Sequence, residues 1–176
     1  ARKISPTEFE TELLATIESE MPPHWRKSLT FSARVVLQGV CDEIARKTKM
    51  KNSSDVRFSR FQLDATKAML LSEFGWKPTK NSQIITAGVG SGKTFAFSLP
   101  IFISSLARLR AGLDYHRTCL LVYPRKALAK DQFDVLSKIR SHITSPLLNI
   151  HFEHHEAYQE RGLTVRQGLE QVFIHR

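Results

Sequence analysis

A short apolar run followed by a glycine-rich turn constrains this chain more than any other feature of its sequence. The run QIITA (residues 83–87) leads into GVGSGKT (residues 88–94), and a helical pattern continues from Gly92 to Arg110. A buried strand, a glycine turn and a helix in this order are typical of a phosphate-binding loop. Because further strand and helix signals alternate downstream, the sequence predicts an α/β fold with a parallel sheet.

The residues of this loop are the types that phosphate binding requires. Glycines allow unusual backbone dihedrals and let the amides approach an anion closely. Lys93 can reach the terminal phosphates of a nucleotide, the Thr94 hydroxyl can ligate Mg²⁺, and the following helix directs its partial positive end at the phosphates. The predicted phosphate cradle consists of the backbone amides of Gly88, Val89, Gly90, Ser91 and Gly92.

Alanine, at Ala87, stands where the strict loop pattern has its first glycine. The resulting form A-x-x-G-x-G-K-T resembles motif I of superfamily 2 helicases, in which alanine at this position is common. Two more stretches agree in order and spacing: RFQLDATKAMLL (residues 60–71) is similar to the Q motif of that family, and LVYPRKALAKDQF (residues 121–133) is similar to its motif Ia. The resemblance implies a RecA-like P-loop NTPase domain, with helices flanking a parallel sheet.

The resemblance also assigns roles to residues outside the loop. Gln62 matches the glutamine that reads adenine in the family, and a carboxamide suits adenine because it can pair with N6 and N7 together. Motif Ia contacts the backbone of one nucleic-acid strand in the family. Arg125, Lys126 and Lys130 are therefore the candidates for strand contact, at a helix start where backbone amides also point at phosphate.

ATP and Mg²⁺ are the ligands that the resemblance implies, with Lys93 and Thr94 as the catalytic contacts. In the complete enzyme, ATP binding and hydrolysis would close two RecA-like domains around a single strand and move it. The form YPRKALA (residues 123–129) is closer to large bacterial DNA helicases than to DEAD-box RNA proteins, which slightly favours DNA over RNA. The net charge of +9 also agrees with a polyanionic partner, and residues 56–176 carry nearly all of it.

Residues 1–55 are predicted to form a helical accessory segment and linker, ahead of a partial RecA-like domain at residues 56–176. A capping box from Thr7 to Glu10 should start the first helix, which should end near MPPH (residues 21–24). A second helix is expected over residues 32–47, followed by an exposed loop over residues 47–57. These helices are expected to pack on the domain or to contact a protein partner.

Later elements are expected as helices over residues 61–74 and 127–140, and as strands over residues 119–124 and 147–152. The remainder of the sequence is mixed and polar.

Motif II, the acidic box that holds magnesium and activates water in this family, does not follow motif Ia. The only adjacent Asp-Glu pair, Asp42 and Glu43, lies upstream of the loop in a predicted helix. The chain is therefore expected to be the front of a longer helicase polypeptide that holds ATP without hydrolysing it alone. Two alternatives stay open: another P-loop NTPase, such as a small-molecule kinase or GTPase-like switch, and a non-hydrolysing nucleic-acid-binding module with a degenerate loop.

Other titratable groups in the sequence indicate no further chemistry. The run HFEHHEAYQE (residues 151–160) matches no metal-ligand spacing, so a solvated, His-rich strand-to-helix turn is expected there and no resident protein metal site. Cys41 and Cys119 are too few for a disulfide framework, which favours a reducing, cytoplasmic compartment, at the nucleoid if the source is bacterial. No apolar run is long enough to span a bilayer, so no membrane partner is expected.

Overall fold

The computed structural model describes residues 2–76, 92–112, 119–123, 126–144, 151–154 and 170–175. Within these ranges, helices dominate and two small antiparallel sheets are present. The elements in chain order are β1 (Lys3–Ile4), α1 (Pro6–Glu20), α2 (Pro23–Thr48), a 3-10 helix (Ser53–Asp55), β2 (Phe58–Ser59), α3 (Arg60–Phe74), α4 (Lys93–Arg110), β3 (Cys119–Tyr123), α5 (Lys126–His142), β4 (His151–His154) and β5 (Glu170–His175).

The N-cap of the first helix lies two residues before the start of the predicted capping box. Ser5 is the N-cap, and its hydroxyl oxygen accepts a 3.1 Å hydrogen bond from the Glu8 amide. Pro6 occupies the first helical position, where its fixed φ is already suitable and its missing N–H costs nothing. The prediction that Thr7 caps the helix was therefore wrong, whereas the predicted end before Pro22 is confirmed.

The second helix starts nine residues earlier than predicted. It begins at Pro23, which again sits at a first helical position, and it ends at Thr48, where Lys49 forms a left-handed cap with φ 55°. The expected exposed loop at residues 47–57 was also wrong in part. Val56 is fully buried, and β2 follows at once and pairs antiparallel with β1, so this connection is anchored to the core.

One hydrophobic core joins the N-terminal helices to the helices that follow. α4 lies at its centre, because nearly every residue in the middle of this helix is buried, and a helix that is apolar all round belongs in a core. The fully buried large side chains of this core come from β1, α1, α2, α3, α4 and β2, and are Phe9, Phe58, Phe102, Ile4, Leu13, Ile17, Met21, Leu29, Leu63, Leu70, Leu99 and Ile103. The described part of residues 1–55 thus packs directly on α3, α4 and α5.

Polar contacts fasten α4 to its two long neighbours. Glu73 of α3 accepts hydrogen bonds from the Ser104 hydroxyl, at 2.8 Å, and from the Arg108 guanidinium. On the other side, the Arg110 guanidinium lies 3.8 Å from the ring centroid of Phe31 in α2. Such a cation–π contact contributes about 0.5–1 kcal/mol at an exposed site. Both contacts lie in the C-terminal half of α4 and do not involve its first turn.

α2 and the end of α5 approach each other closely at one point. A Cβ built on Gly39 would lie 2.8 Å from Ile143 Cγ1 and 3.0 Å from the His142 carbonyl oxygen, so only glycine fits there without a shift. One turn further along α2, the buried Glu43 carboxylate accepts two bonds from Arg46 and lies 3.2 Å from His142 Nε2. The hydrogen bonds from Arg46 hold the pKa of Glu43 below its ordinary value of 4.5.

The second sheet has the strand order β3-β5-β4, and both of its pairs are antiparallel. Cys119 is opposite Ile174, and His151 is opposite His175. The described strands therefore do not confirm the expected parallel sheet, and the predicted strand at residues 83–87 lies outside the described residues. The prediction of mixed polar sequence near the C-terminus was wrong at β5, where the apolar run VFI supplies the strand signal.

Candidate nucleotide site

Gln62 joins the start of α3 to the start of α4. Its Oε1 accepts a 2.8 Å hydrogen bond from the Ser59 amide, and its Nε2 donates a 3.0 Å hydrogen bond to the Gly92 carbonyl oxygen. The side chain is only 6% exposed. Because a buried amide is costly to leave unpaired, these two bonds fix the position of the glutamine and of the backbone at Gly92 together.

Gly92 is the N-cap of α4 and has a left-handed backbone, with φ 80° and ψ 34°. A side chain there would be strained by this conformation and would also meet Gln62, since an added Cβ would lie 2.5 Å from Nε2. The glycine is thus required twice, by its own dihedrals and by its neighbour. The left-handed conformation agrees with the turn predicted at Gly92, and its contact with phosphate stays a prediction.

Lys93 and Thr94 form the first turn of α4 immediately after this glycine. Lys93 is exposed, and no described side chain caps the helix at Gly92. The Thr94 hydroxyl donates a 3.2 Å hydrogen bond to Oε1 of Gln132 in α5. The first turn of α4 is therefore held from α3 by Gln62 and from α5 by Gln132.

The residues at this turn have the donor set that ATP·Mg²⁺ requires. A helix N-terminus without a side-chain cap favours an anion, a lysine ammonium pairs with phosphate, and a hydroxyl oxygen suits magnesium. Because Gly92 has no Cβ, the space between its backbone and the Gln62 amide stays unfilled. The described residues thus fit the nucleotide and the cation that the sequence predicts.

Several predicted site residues cannot be placed beside this turn. Residues 88–91 of the predicted cradle and Arg125 lie outside the described residues, and the side chain of Lys126 is likewise not described. Lys130 is exposed on the second turn of α5. Strand contact by these three basic residues remains a prediction.

Two residues have roles that the sequence did not reveal. Gln132 was visible only as part of the motif Ia match, and its bond to Thr94 depends on how α5 packs against α4. Glu43 was not counted as part of motif II. In the structure its buried carboxylate contacts Arg46 and His142, so its role is in packing. Within the described parts of the chain, no group of three or more His, Cys, Asp or Glu residues could hold a metal ion.

Comparison with known protein families agrees with this geometry. The sequence profile of the DEAD/DEAH box helicase family matches residues 59–174, from the N-cap of α3 to β5. The chain belongs to this family, and it contains a helicase-like domain of the first RecA-like part. A RecA-like P-loop fold follows from that membership.

Searches of curated proteins and of solved structures found no significant match. Among the described helices, none is long and apolar enough to cross a membrane.

Proposed function

We propose that this chain binds ATP·Mg²⁺ at the first turn of α4 and serves as the nucleotide-binding part of an ATP-dependent nucleic-acid helicase or translocase. The observation that carries the proposal is the junction at Gly92, where a left-handed glycine opens a helix with Lys93 and Thr94 in its first turn. Membership of the DEAD/DEAH box helicase family supports the interpretation of this junction as motif I.

Lys93 is proposed to contact the terminal phosphates, and the Thr94 hydroxyl is proposed to hold the magnesium ion. When bound, magnesium neutralises charge on the phosphates and orients them. The chain itself supplies the helix N-terminus, the lysine charge and a hydroxyl of fixed position. Amides of residues 88–92 are proposed to complete the cradle.

Adenine recognition by Gln62 needs more than the observed arrangement. Each polar atom of the carboxamide already has one protein partner, which leaves one lone pair on Oε1 and one hydrogen on Nε2. These two would suffice for adenine N7 and N6, but the side chain is nearly buried, so it must become more accessible. Replacement of Gln62 by alanine is therefore expected to reduce the preference for ATP over GTP.

Strand contact is proposed for the start of α5, where Arg125, Lys126 and Lys130 precede or enter the helix. Phosphate contacts of this kind are mostly independent of sequence and weaken steeply with salt. Lys130→Ala should weaken binding of single-stranded DNA and reduce its salt dependence. Lys138→Ala, two turns further along the same helix and also exposed, is the matched control and should leave both unchanged.

The decisive experiment measures ATP hydrolysis by the complete polypeptide with and without single-stranded DNA or RNA, beside Lys93→Ala. Stimulation by one polymer that is lost in the variant would support a nucleic-acid-dependent motor. Lys27→Ala, an exposed lysine of α2, controls for the loss of one charge. Strand binding without any hydrolysis would refute the motor and support the alternative, a nucleic-acid-binding module with a degenerate loop.

A further inference from the structure

The hydrogen bond between Thr94 and Gln132 connects two helices at the proposed magnesium ligand. The residues are 38 positions apart, and the 3.2 Å bond runs from Thr94 Oγ1 to Gln132 Oε1. Both side chains are half-buried, so the bond is partly shielded from water. The bond places a neutral acceptor on this hydroxyl and so fixes the direction of its hydrogen.

A fixed hydrogen direction matters when the hydroxyl oxygen is a ligand of a cation. A hydroxyl oxygen binds a cation through its lone pairs, while its hydrogen must point at an acceptor elsewhere. A free hydroxyl rotates and can direct its hydrogen towards the cation or its lone pairs away from it. An acceptor at the position of Gln132 Oε1 removes this freedom, because the Thr94 hydrogen is already engaged.

We propose that Gln132 is a positioning residue that orients the Thr94 hydroxyl for the magnesium ion of ATP·Mg²⁺. The inference rests on the proposed nucleotide function, and it adds a residue on α5 to a site formed by α3 and α4. Second-layer hydrogen bonds of this kind commonly fix the orientation of metal ligands.

The position of Gln132 on α5 gives this bond a second consequence. Ala129 and Leu136 are buried and Lys130 is exposed, so Gln132 lies on the inner half of the helix and Lys130 on the outer half. One hydrogen bond thus connects α5, the helix proposed to contact the nucleic-acid strand, with Thr94, the proposed magnesium ligand.

Binding of a fluorescent ATP analogue to the 176-residue chain tests the proposal, with one titration in EDTA and one in excess Mg²⁺. Gln132→Met keeps the length of the side chain and removes its acceptor, whereas Gln132→Glu keeps an acceptor. In the methionine variant, we expect the affinity in EDTA to be unchanged and the gain produced by Mg²⁺ to fall by about two- to tenfold, the effect of one hydrogen bond. The glutamate variant should retain the gain.

Two further variants control for the chemical change itself and for a disturbance of packing. Gln38→Met makes the same chemical change at an exposed position of α2 and should behave as wild type. Gln132→Asn keeps the amide but shortens its reach by one methylene group, so it should lose the magnesium gain as methionine does, even if methionine disturbs the packing. Thermal melting of each variant checks that the chain is folded.

The outcomes separate this inference from the function on which it rests. If the wild-type chain binds no nucleotide in either titration, the proposed function and the inference both fail. If it binds and gains affinity with Mg²⁺, but Gln132→Met and Gln132→Asn gain equally, the function stands and the inference is overturned. Equal losses in EDTA and in Mg²⁺ would also overturn it, because they would show a packing role only.

Discussion

Replacement of Gly92 by alanine should destabilise the chain through two separable costs. The left-handed backbone at φ 80° costs a residue with a Cβ about 1–2 kcal/mol. The new Cβ would lie 2.5 Å from Gln62 Nε2, so the amide must move and lose its bond to the Gly92 carbonyl oxygen. That loss adds about 0.5–1.5 kcal/mol. The free energy of unfolding should therefore fall by about 1.5–3.5 kcal/mol in total.

Thermal unfolding followed by circular dichroism measures this change. For a chain of this size, 1 kcal/mol shifts Tm by about 2–4 °C, so Gly92→Ala should lower Tm by about 3–14 °C. Gly112→Ala is the matched control, since Gly112 also has a positive φ, of 73°, but a Cβ there would meet nothing within 4 Å. It should show the backbone cost alone.

A double-mutant cycle with Gln62→Ala isolates the contact itself. In the Gln62→Ala background, the amide that the new Cβ would meet is absent. The loss of unfolding free energy from Gly92→Ala should then be only as large as that from Gly112→Ala. The reasoning is refuted if Gly92→Ala lowers Tm no more than Gly112→Ala does. It is also refuted if the cost of Gly92→Ala is the same with and without the Gln62 side chain.

Two further predictions concern buried groups of α2. The pKa of Glu43 is lowered mainly by the hydrogen bonds from Arg46, so the carboxylate stabilises the fold above pH 4.5 and this stability is lost as the pH falls through the lowered pKa. Glu43→Gln should flatten the acid side of the curve of unfolding free energy against pH, and an unchanged acid limb would contradict the assignment. Burial raises the pKa of Cys41 to about 12, so in a Cys119→Ser background its thiol should resist labelling at pH 8 until the chain is unfolded. Rapid labelling of the folded chain would show that α2 opens locally.

The helices were the part of the fold that the sequence predicted best. The predicted bounds of α3, α4 and α5 agree with the structure to within one or two residues, because each has recurring apolar residues and boundary signals. The starts of α1 and α2 were predicted too late. α1 was predicted from a capping box at Thr7 and α2 only from residue 32, and neither prediction used Pro6 or Pro23, which occupy first helical positions, where proline is favoured.

Individual site residues could be named from the sequence, but not the bonds that join them. Gln62 and Thr94 follow from motif matches, whereas the bonds from Gln62 to Gly92 and from Thr94 to Gln132 span 30 and 38 residues. Such bonds depend on how α3 and α5 pack against α4, which no local pattern contains. The burial of Glu43 and the antiparallel strand pairs have the same origin in tertiary packing.

The close contact of Gly39 with the end of α5 has a mechanical consequence. A Cβ on Gly39 would lie 2.8 Å from Ile143 Cγ1 and 3.0 Å from the His142 carbonyl oxygen, so α2 and the end of α5 are closely packed there, and we expect any tilt of α5 to be centred on this contact. At a rise of about 1.5 Å per residue, Lys126 lies about 24 Å from His142 along the helix axis and Gln132 about 15 Å from it. A tilt of about 5° would then displace the N-terminal end of α5 by about 2 Å and Gln132 by about 1.3 Å, enough to stretch a hydrogen bond beyond its range.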